Sequence, residues 1–372
     1  MQTGGESIEQ AVSTTPGPLV PPIAGATSVP GRPRRRFEEL DVLRGVAALA
    51  VVVFHYSGHA TRYFTGFPFH FKLGEHGVQL FFGISGFVIF MTLENTKKLR
   101  DFVVSRFSRL YPAYWITLVI LAVATLLAHE KVWLTGLAVN VTMLQSFVGV
   151  GDFDLVFWTL AVELVFYVIM GTLFALGLTR RIVPIALAWL ALGAAVGLAG
   201  PQVPAWISVY TTRFLILPHA PLFIIGMMWF RIHTDGVSRV PVLVVVAAVA
   251  TVFVASGIAA GLIAAGVCVI VGLAVLGALS LAVGRVTLWL GAISYPLYLL
   301  HRNLGYTLLF ALDRLGVPSV FNVLVAIAFA LSLATAVSVF VERPAMAAIR
   351  KRYKNWSARA HPETVEVQAV AG

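Results

Sequence analysis

Three groups of residues in this chain could do chemistry within an otherwise apolar sequence. The first lies in Leu40–Ser57, LDVLRGVAALAVVVFHYS, which holds Asp41, Arg44 and His55. The stretch is long enough to cross a bilayer, and ionisable residues at such depth face protein or water rather than lipid. Arg44 and His55 are eleven positions apart. That is close to three helical turns, so both leave one helix face, roughly 16 Å apart along the axis. The ordinary pKa of His55 suits proton transfer near neutrality. The plainer reading is an interhelical hydrogen-bonding pair that helps packing.

The second group is Glu163 in FWTLAVELVFY, with Thr159 one turn earlier on the same face. A carboxylate in such a segment needs a partner. A histidine would serve, with Glu163 orienting the imidazole and stabilising its protonated form; an arginine held for structure alone would serve too. The third is the RxxR of Arg106 and Arg109 in VVSRFSRLYPAYW, whose i, i+3 spacing sets both guanidinium groups on one helix face. Two such forks suit the phosphates of a nucleotide-like ligand, although cytoplasmic arginines are also what membrane topology by itself demands.

Other motifs are weaker. Gly83-Ile84-Ser85-Gly86 lacks the spaced glycine and the strand context of a serine-hydrolase elbow, and reads as a small-residue patch where two helices approach closely. Tyr295, Pro296 and Tyr298 beside His301 predict a kink and a polar lining. The single cysteine, Cys268, excludes an intrachain disulfide and a CxxC metal site, and no metal is expected.

The elements that must position these residues follow from composition. Of 372 residues, 59% are hydrophobic and 12% charged, with a mean hydropathy of +0.87. This is an all-α, polytopic integral membrane protein. The net charge of +10 does not point to nucleic acid, because the basic residues fall between apolar runs and at the chain ends, and no DNA-binding motif is present. Residues 1–36, rich in Gly, Pro, Ser and Thr and closing on Arg32, Arg34, Arg35 and Arg36, read as a disordered basic tail. Ten spans are predicted, over about 40–57, 77–94, 111–128, 156–178, 182–199, 214–231, 240–256, 260–283, 287–310 and 320–341. Residues 346–372 are predicted to form a cytoplasmic tail, disordered from about 352. If 132–148 is re-entrant or interfacial, the clear basic clusters share one side and both termini are cytoplasmic. In that topology His55, Glu163 and His301 reach one layer of the membrane.

The chain resembles the membrane acyltransferase family 3, bacterial O-acyltransferases of surface polysaccharides and some secondary metabolites. The resemblance rests on LDVLRGVAALAVVVFHYS, GVQLFFGISGFVIF, SRFSRLYPAYW, WTLAVEL, ISYPLYLLH and VERP in that order, and runs over nearly all of residues 37–345. It implies an enzyme of the bacterial inner membrane that uses acyl-CoA, most simply acetyl-CoA, as co-substrate and holds no permanent cofactor. The acyl group would pass to a hydroxyl of an extracytoplasmic glycan. Arg44 and His55 match the family's R-x10-H signature and Arg106 and Arg109 its RxxR, which are associated there with catalysis and donor binding. His55, Glu163 and Arg44 are then the candidate catalytic residues, and Arg106 and Arg109 the acyl-CoA ligands. Asp41, Trp158, Thr159, Tyr295 and His301 are candidates to line the site. The rival class is a secondary transporter or flippase, since buried charges mark those proteins as well, yet the two halves show no matching pair of interrupted helices.

Overall fold

Helices account for the ordered chain because apolar runs of this length satisfy their backbone groups internally. The computed structural model describes residues 37–59, 69–129 and 131–360, all within one unit, Phe37–Gly372. The predicted tail over 1–36 lies outside the described residues. Among the described residues there is no strand. The elements are α1 (Glu38–Phe54), running into a π-helical turn (His55–His59), then α2 (Gly77–Glu94), α3 (Leu99–Leu127), α4 (Leu134–Asn140), α5 (Trp158–Ala175) and α6 (Ile182–Ala199). After these come α7 (Ala205–Arg213), α8 (Ala220–Asp235), α9 (Arg239–Val275), α10 (Arg285–Arg314), α11 (Ser319–Val337), a second π turn (Ser338–Glu342) and α12 (Arg343–Ala360).

Among the described residues, seven helical stretches are long and apolar enough to cross a membrane, against the ten spans predicted. The difference has local causes. The stretch read as 214–231 turns at Ile216 and Pro218, leaving α8 only 16 residues long. The two runs over 240–256 and 260–283 form the single helical stretch α9, interrupted at Gly257 by φ 86°. α10 is 30 residues long but carries His301, Arg302 and Asn303 in succession. The segment 132–148 holds only the seven-residue α4 followed by turns, too short to span.

Two further boundaries are corrected. α3 begins at Leu99 rather than 111, so Arg106, Arg109 and Pro112 lie inside it. Residues 352–360, read as the start of a disordered stretch within the 346–372 tail, are helical as part of α12. α12 is rich in alanine, arginine and lysine, good helix formers, and it docks on α3 through Tyr353 Oη to Asp101 Oδ1 (2.7 Å).

Close crossings set the centre of the bundle. α2 packs against α8 and α1 against α10. A Cβ at Gly86 would overlap the carbonyl of Phe223, and one at Gly226 the carbonyl of Gly83. The GISG patch therefore lets two backbones touch, as its small residues predict. Pro296 cannot donate to the carbonyl of Ala292; Ser338 Oγ in the second π turn is 3.4 Å from that oxygen and donates to it. α10 remains one continuous helix through this proline.

Candidate active site

His55 sits where α1 gives way to its π turn, a helix irregularity that often marks functional positions. Its Nδ1 is 2.9 Å from the carbonyl oxygen of Val51 and 3.2 Å from Nε2 of His301. His301 is fully buried, and its Nδ1 is 2.8 Å from the carbonyl of Tyr298. Carbonyls only accept, so the proton of His301 is on Nδ1 and its Nε2 offers a lone pair. His55 Nδ1 in turn donates, shared between Val51 and His301. The basic lone pair of His55 is thereby on Nε2. Tyr56 Oη fixes this arrangement further by donating to the carbonyl of His301 (2.6 Å).

The expectation that Glu163 orients His55 is corrected: that place belongs to His301. Glu163 Oε1 accepts instead from Ser85 Oγ (2.9 Å) and Tyr167 Oη (2.6 Å). Hydroxyl donors satisfy this half-buried carboxylate without a counter-charge in direct contact. The two groups are joined by Tyr298, whose ring centroid is 5.8 Å from that of His301 and whose Oη accepts from Thr159 Oγ1 (3.0 Å). Thr159 is one turn before Glu163, so a ring contact and a hydrogen bond lead from the histidine pair toward the carboxylate pocket.

That pocket consists of two adjoining cavities of about 60 Å³ each. Arg44, Ser85, Glu163 and Tyr295 line both; Thr159 and Tyr298 complete one, Arg106, Arg109 and Tyr167 the other. Arg44 also feels the charge of Asp41, one turn before it. Arg109 forms an ion pair with Glu342, whose side chain is 1% exposed, and lies 5.7 Å from the ring of Tyr295. Arg106 lies over the ring of Tyr167, 5.8 Å away. Trp158 does not line either cavity. It is 39% exposed and stands against His219 and Phe82 (ring centroids 5.5 and 6.4 Å).

A vestibule of about 620 Å³ is walled by Trp133, Phe153, Asn303, Tyr306, Thr307 and Phe310, among others. Tyr306 lies 6.3 Å from the ring of His55. Its rim is tied by Asp154, which accepts from Arg302 (3.4 Å) and from the backbone of Val156 and Asn303 (3.2 and 3.3 Å). Burial pushes the Asp154 carboxyl above the usual carboxylate range, and these donors oppose the shift.

Sequence reasoning missed Ser85, Tyr167, Glu342 and the Asp154–Arg302 tie as site residues. Glu342 lies in the VERP run that helped carry the resemblance, but nothing in its spacing names Arg109 as its partner. Ser85 and Tyr167 are ordinary residues of apolar helices until the tertiary fold sets them against a charge, and nothing in sequence pairs the loop residue Asp154 with Arg302 on α10.

Comparison with known proteins bears on the family. The family model described as "Acyltransferase domain", that of acyltransferase family 3, matches residues 37–343. "Protein 2 in picA locus" of Rhizobium radiobacter is 39% identical over 95 residues, 24% of this chain and 46% of that protein. ORF330 of the Acidianus two-tailed virus, named provisionally as an acetyltransferase, is 28% identical over 123 residues, 32% of this chain and 36% of that protein. The chain thus spans less than half the length of these curated relatives. No solved structure matches it significantly. With the match running from the start of α1 to the start of α12, and with the Arg44, His55, Arg106 and Arg109 signatures inside it, the chain belongs to the membrane acyltransferase family 3.

Proposed function

We propose that the protein moves an acyl group, most simply acetyl, from cytoplasmic acyl-CoA to a hydroxyl of an extracytoplasmic carbohydrate. The observation that carries this reading is the His55–His301 pair, with its lone pair on His55 Nε2. His301 contacts Tyr298, which lines one of the small cavities beside Arg44, and His55 contacts Tyr306, which lines the aromatic vestibule. In this reading the chain makes ten spans with both termini cytoplasmic. The halves of α9 on either side of Gly257 are each about 27 Å long, close to the hydrocarbon thickness.

The donor's phosphates would meet Arg106 and Arg109. An apolar groove of about 440 Å³ between α3 and α5 adjoins them at Leu110 and Tyr167, and suits the pantetheine arm. A sugar would enter by the vestibule, where aromatic faces alternate with the amide of Asn303 and the hydroxyl of Thr307. His55 Nε2 takes the proton of the acceptor hydroxyl as its oxygen attacks the thioester carbonyl. The C–O bond forms, the C–S bond breaks, and the proton passes from His55 to the leaving thiolate. His301 steadies the transient imidazolium by accepting from His55 Nδ1, adding no charge of its own.

The test is acyl transfer by purified protein in detergent, with radiolabelled acetyl-CoA and a panel of oligosaccharides. Acetylated product formed without a sealed membrane supports the reading. Absence of both acetyl-CoA binding and consumption, with transport in vesicles, would replace it by a transporter.

A further inference from the structure

The cytoplasmic end of α3 gathers more positive charge than the RxxR pair supplies. Arg350, on α12, donates from Nε to Ser108 Oγ at 3.1 Å. Ser108 is fully buried and lies between Arg106 and Arg109 in the chain. Arg350 consequently sits in the repulsive field of both. The carboxylates close by are engaged: Glu342 with Arg109, Asp101 with the hydroxyl of Tyr353. Arg106 keeps a buried Nε with no hydrogen-bond partner. Arg350 itself is exposed, and the three guanidinium groups outnumber the carboxylates Glu163 and Glu342 beside them, so an anion would relieve the repulsion and give the buried Arg106 Nε an acceptor.

α12 does not depend on Arg350 to stay in place. Tyr353 holds it to Asp101, and Arg100 of α3 lies 5.7 Å from the ring of Trp356. A guanidinium held by a single bond to Ser108, on a helix anchored elsewhere, keeps its remaining N–H donors for a ligand. Arg350 also lies beyond the matched family segment, which ends at residue 343.

We propose that Arg350 is a third ligand for the phosphates of the acyl-CoA donor, closing the Arg106–Arg109 site from the α12 side. The inference rests on the reading of acyl-CoA as donor and adds a residue from outside the family core. The ligand chemistry is a phosphate ester bearing several negative charges, for which planar guanidinium forks are better matched than lysines.

The experiment is equilibrium binding of acetyl-CoA to the purified full-length protein, in the wild type and in Arg350→Gln, Arg350→Lys and Lys354→Ala. Glutamine retains an amide donor for Ser108, and Lys354→Ala removes a charge from the same helix. A charge-assisted contact of about 1.5–3 kcal/mol corresponds to roughly ten- to a hundredfold in affinity. Arg350→Gln is expected to weaken binding by at least about tenfold, with the loss shrinking as salt is raised. Arg350→Lys should recover part of it and Lys354→Ala should match the wild type. Unchanged affinity in folded Arg350→Gln, or an equal loss in Lys354→Ala, overturns the inference while leaving the donor reading intact. A wild type that binds no acetyl-CoA overturns the donor reading itself, and this proposal with it.

Discussion

At the scale of single residues, the histidine pair separates two roles that alanine scanning alone would merge. His55→Ala removes the base, and loss of general base catalysis typically costs about 10²–10⁴-fold in turnover. His301→Asn keeps an acceptor for His55 Nδ1, so it should retain far more turnover than His301→Ala, which leaves that proton to Val51 alone. Turnover per folded molecule, normalised to acetyl-CoA binding, is the measurement; equal losses in the two His301 variants would remove the hydrogen bond from the mechanism. The RxxR pair should divide as well. Arg109→Ala strands Glu342 as a buried unpaired carboxylate, a loss of about 3–5 kcal/mol that appears as reduced folded yield. Arg106 carries no such partner, so Arg106→Ala should leave the yield intact and weaken acetyl-CoA binding by roughly ten- to a hundredfold.

At the scale of elements, the closest helix contacts give the sharpest stability predictions. Gly226→Val would drive its side chain into the backbone of Gly83. Overpacking typically costs about 1–3 kcal/mol, and more where backbone must move. Gly266→Ala, in α9, meets nothing within 4 Å and should be neutral or stabilise by roughly 0.5–1 kcal/mol, since it restricts the unfolded chain. Thermal unfolding of both variants in the same detergent checks this; a Gly226→Val protein as stable as wild type would show that α2 and α8 can part without penalty. The GISG patch was legible because small residues spaced for contact have few other uses in a membrane helix. The π turns after α1 and α11 were not legible, since each extra residue in a turn is held by tertiary contacts such as Ser338 to Ala292. The helical state of α12 escaped notice for a related reason: a basic, alanine-rich run reads as tail until Asp101 and Ser108 give it a surface to dock on.

At the scale of the whole molecule, the topology proposal makes a prediction that chemistry can read directly. Gly151 has open space around its Cα, so a cysteine there should be tolerated. In a Cys268→Ser background, Gly151→Cys is expected to react with impermeant maleimide from outside intact cells, and Lys97→Cys only after the cytoplasm is opened. Labelling of Gly151→Cys solely from the cytoplasm would invert the proposed orientation and with it the donor and acceptor sides. This prediction derives from the one-sided distribution of arginine and lysine, a property of the chain as a whole.

Some of this protein was determined by its sequence alone. Apolar length forces helices, because lipid offers no partner to a backbone amide. Arg44, His55, Glu163 and His301, set within apolar runs, had to face one another or water, because a charge in lipid is expensive. Their order along the chain, with the flanking motifs, was enough to identify the family. The partners were decided only by the fold. Depth along a helix follows from counting residues, so a common layer is an expectation the sequence alone can state. The azimuth of each helix, which turns Glu163 toward Ser85 and Tyr167 and gives His55 to His301, depends on how α1, α2, α5 and α10 pack. That packing is fixed by glycine contacts and by the Ala292 carbonyl that Pro296 leaves free, between segments distant in sequence, and no periodicity within one segment encodes it.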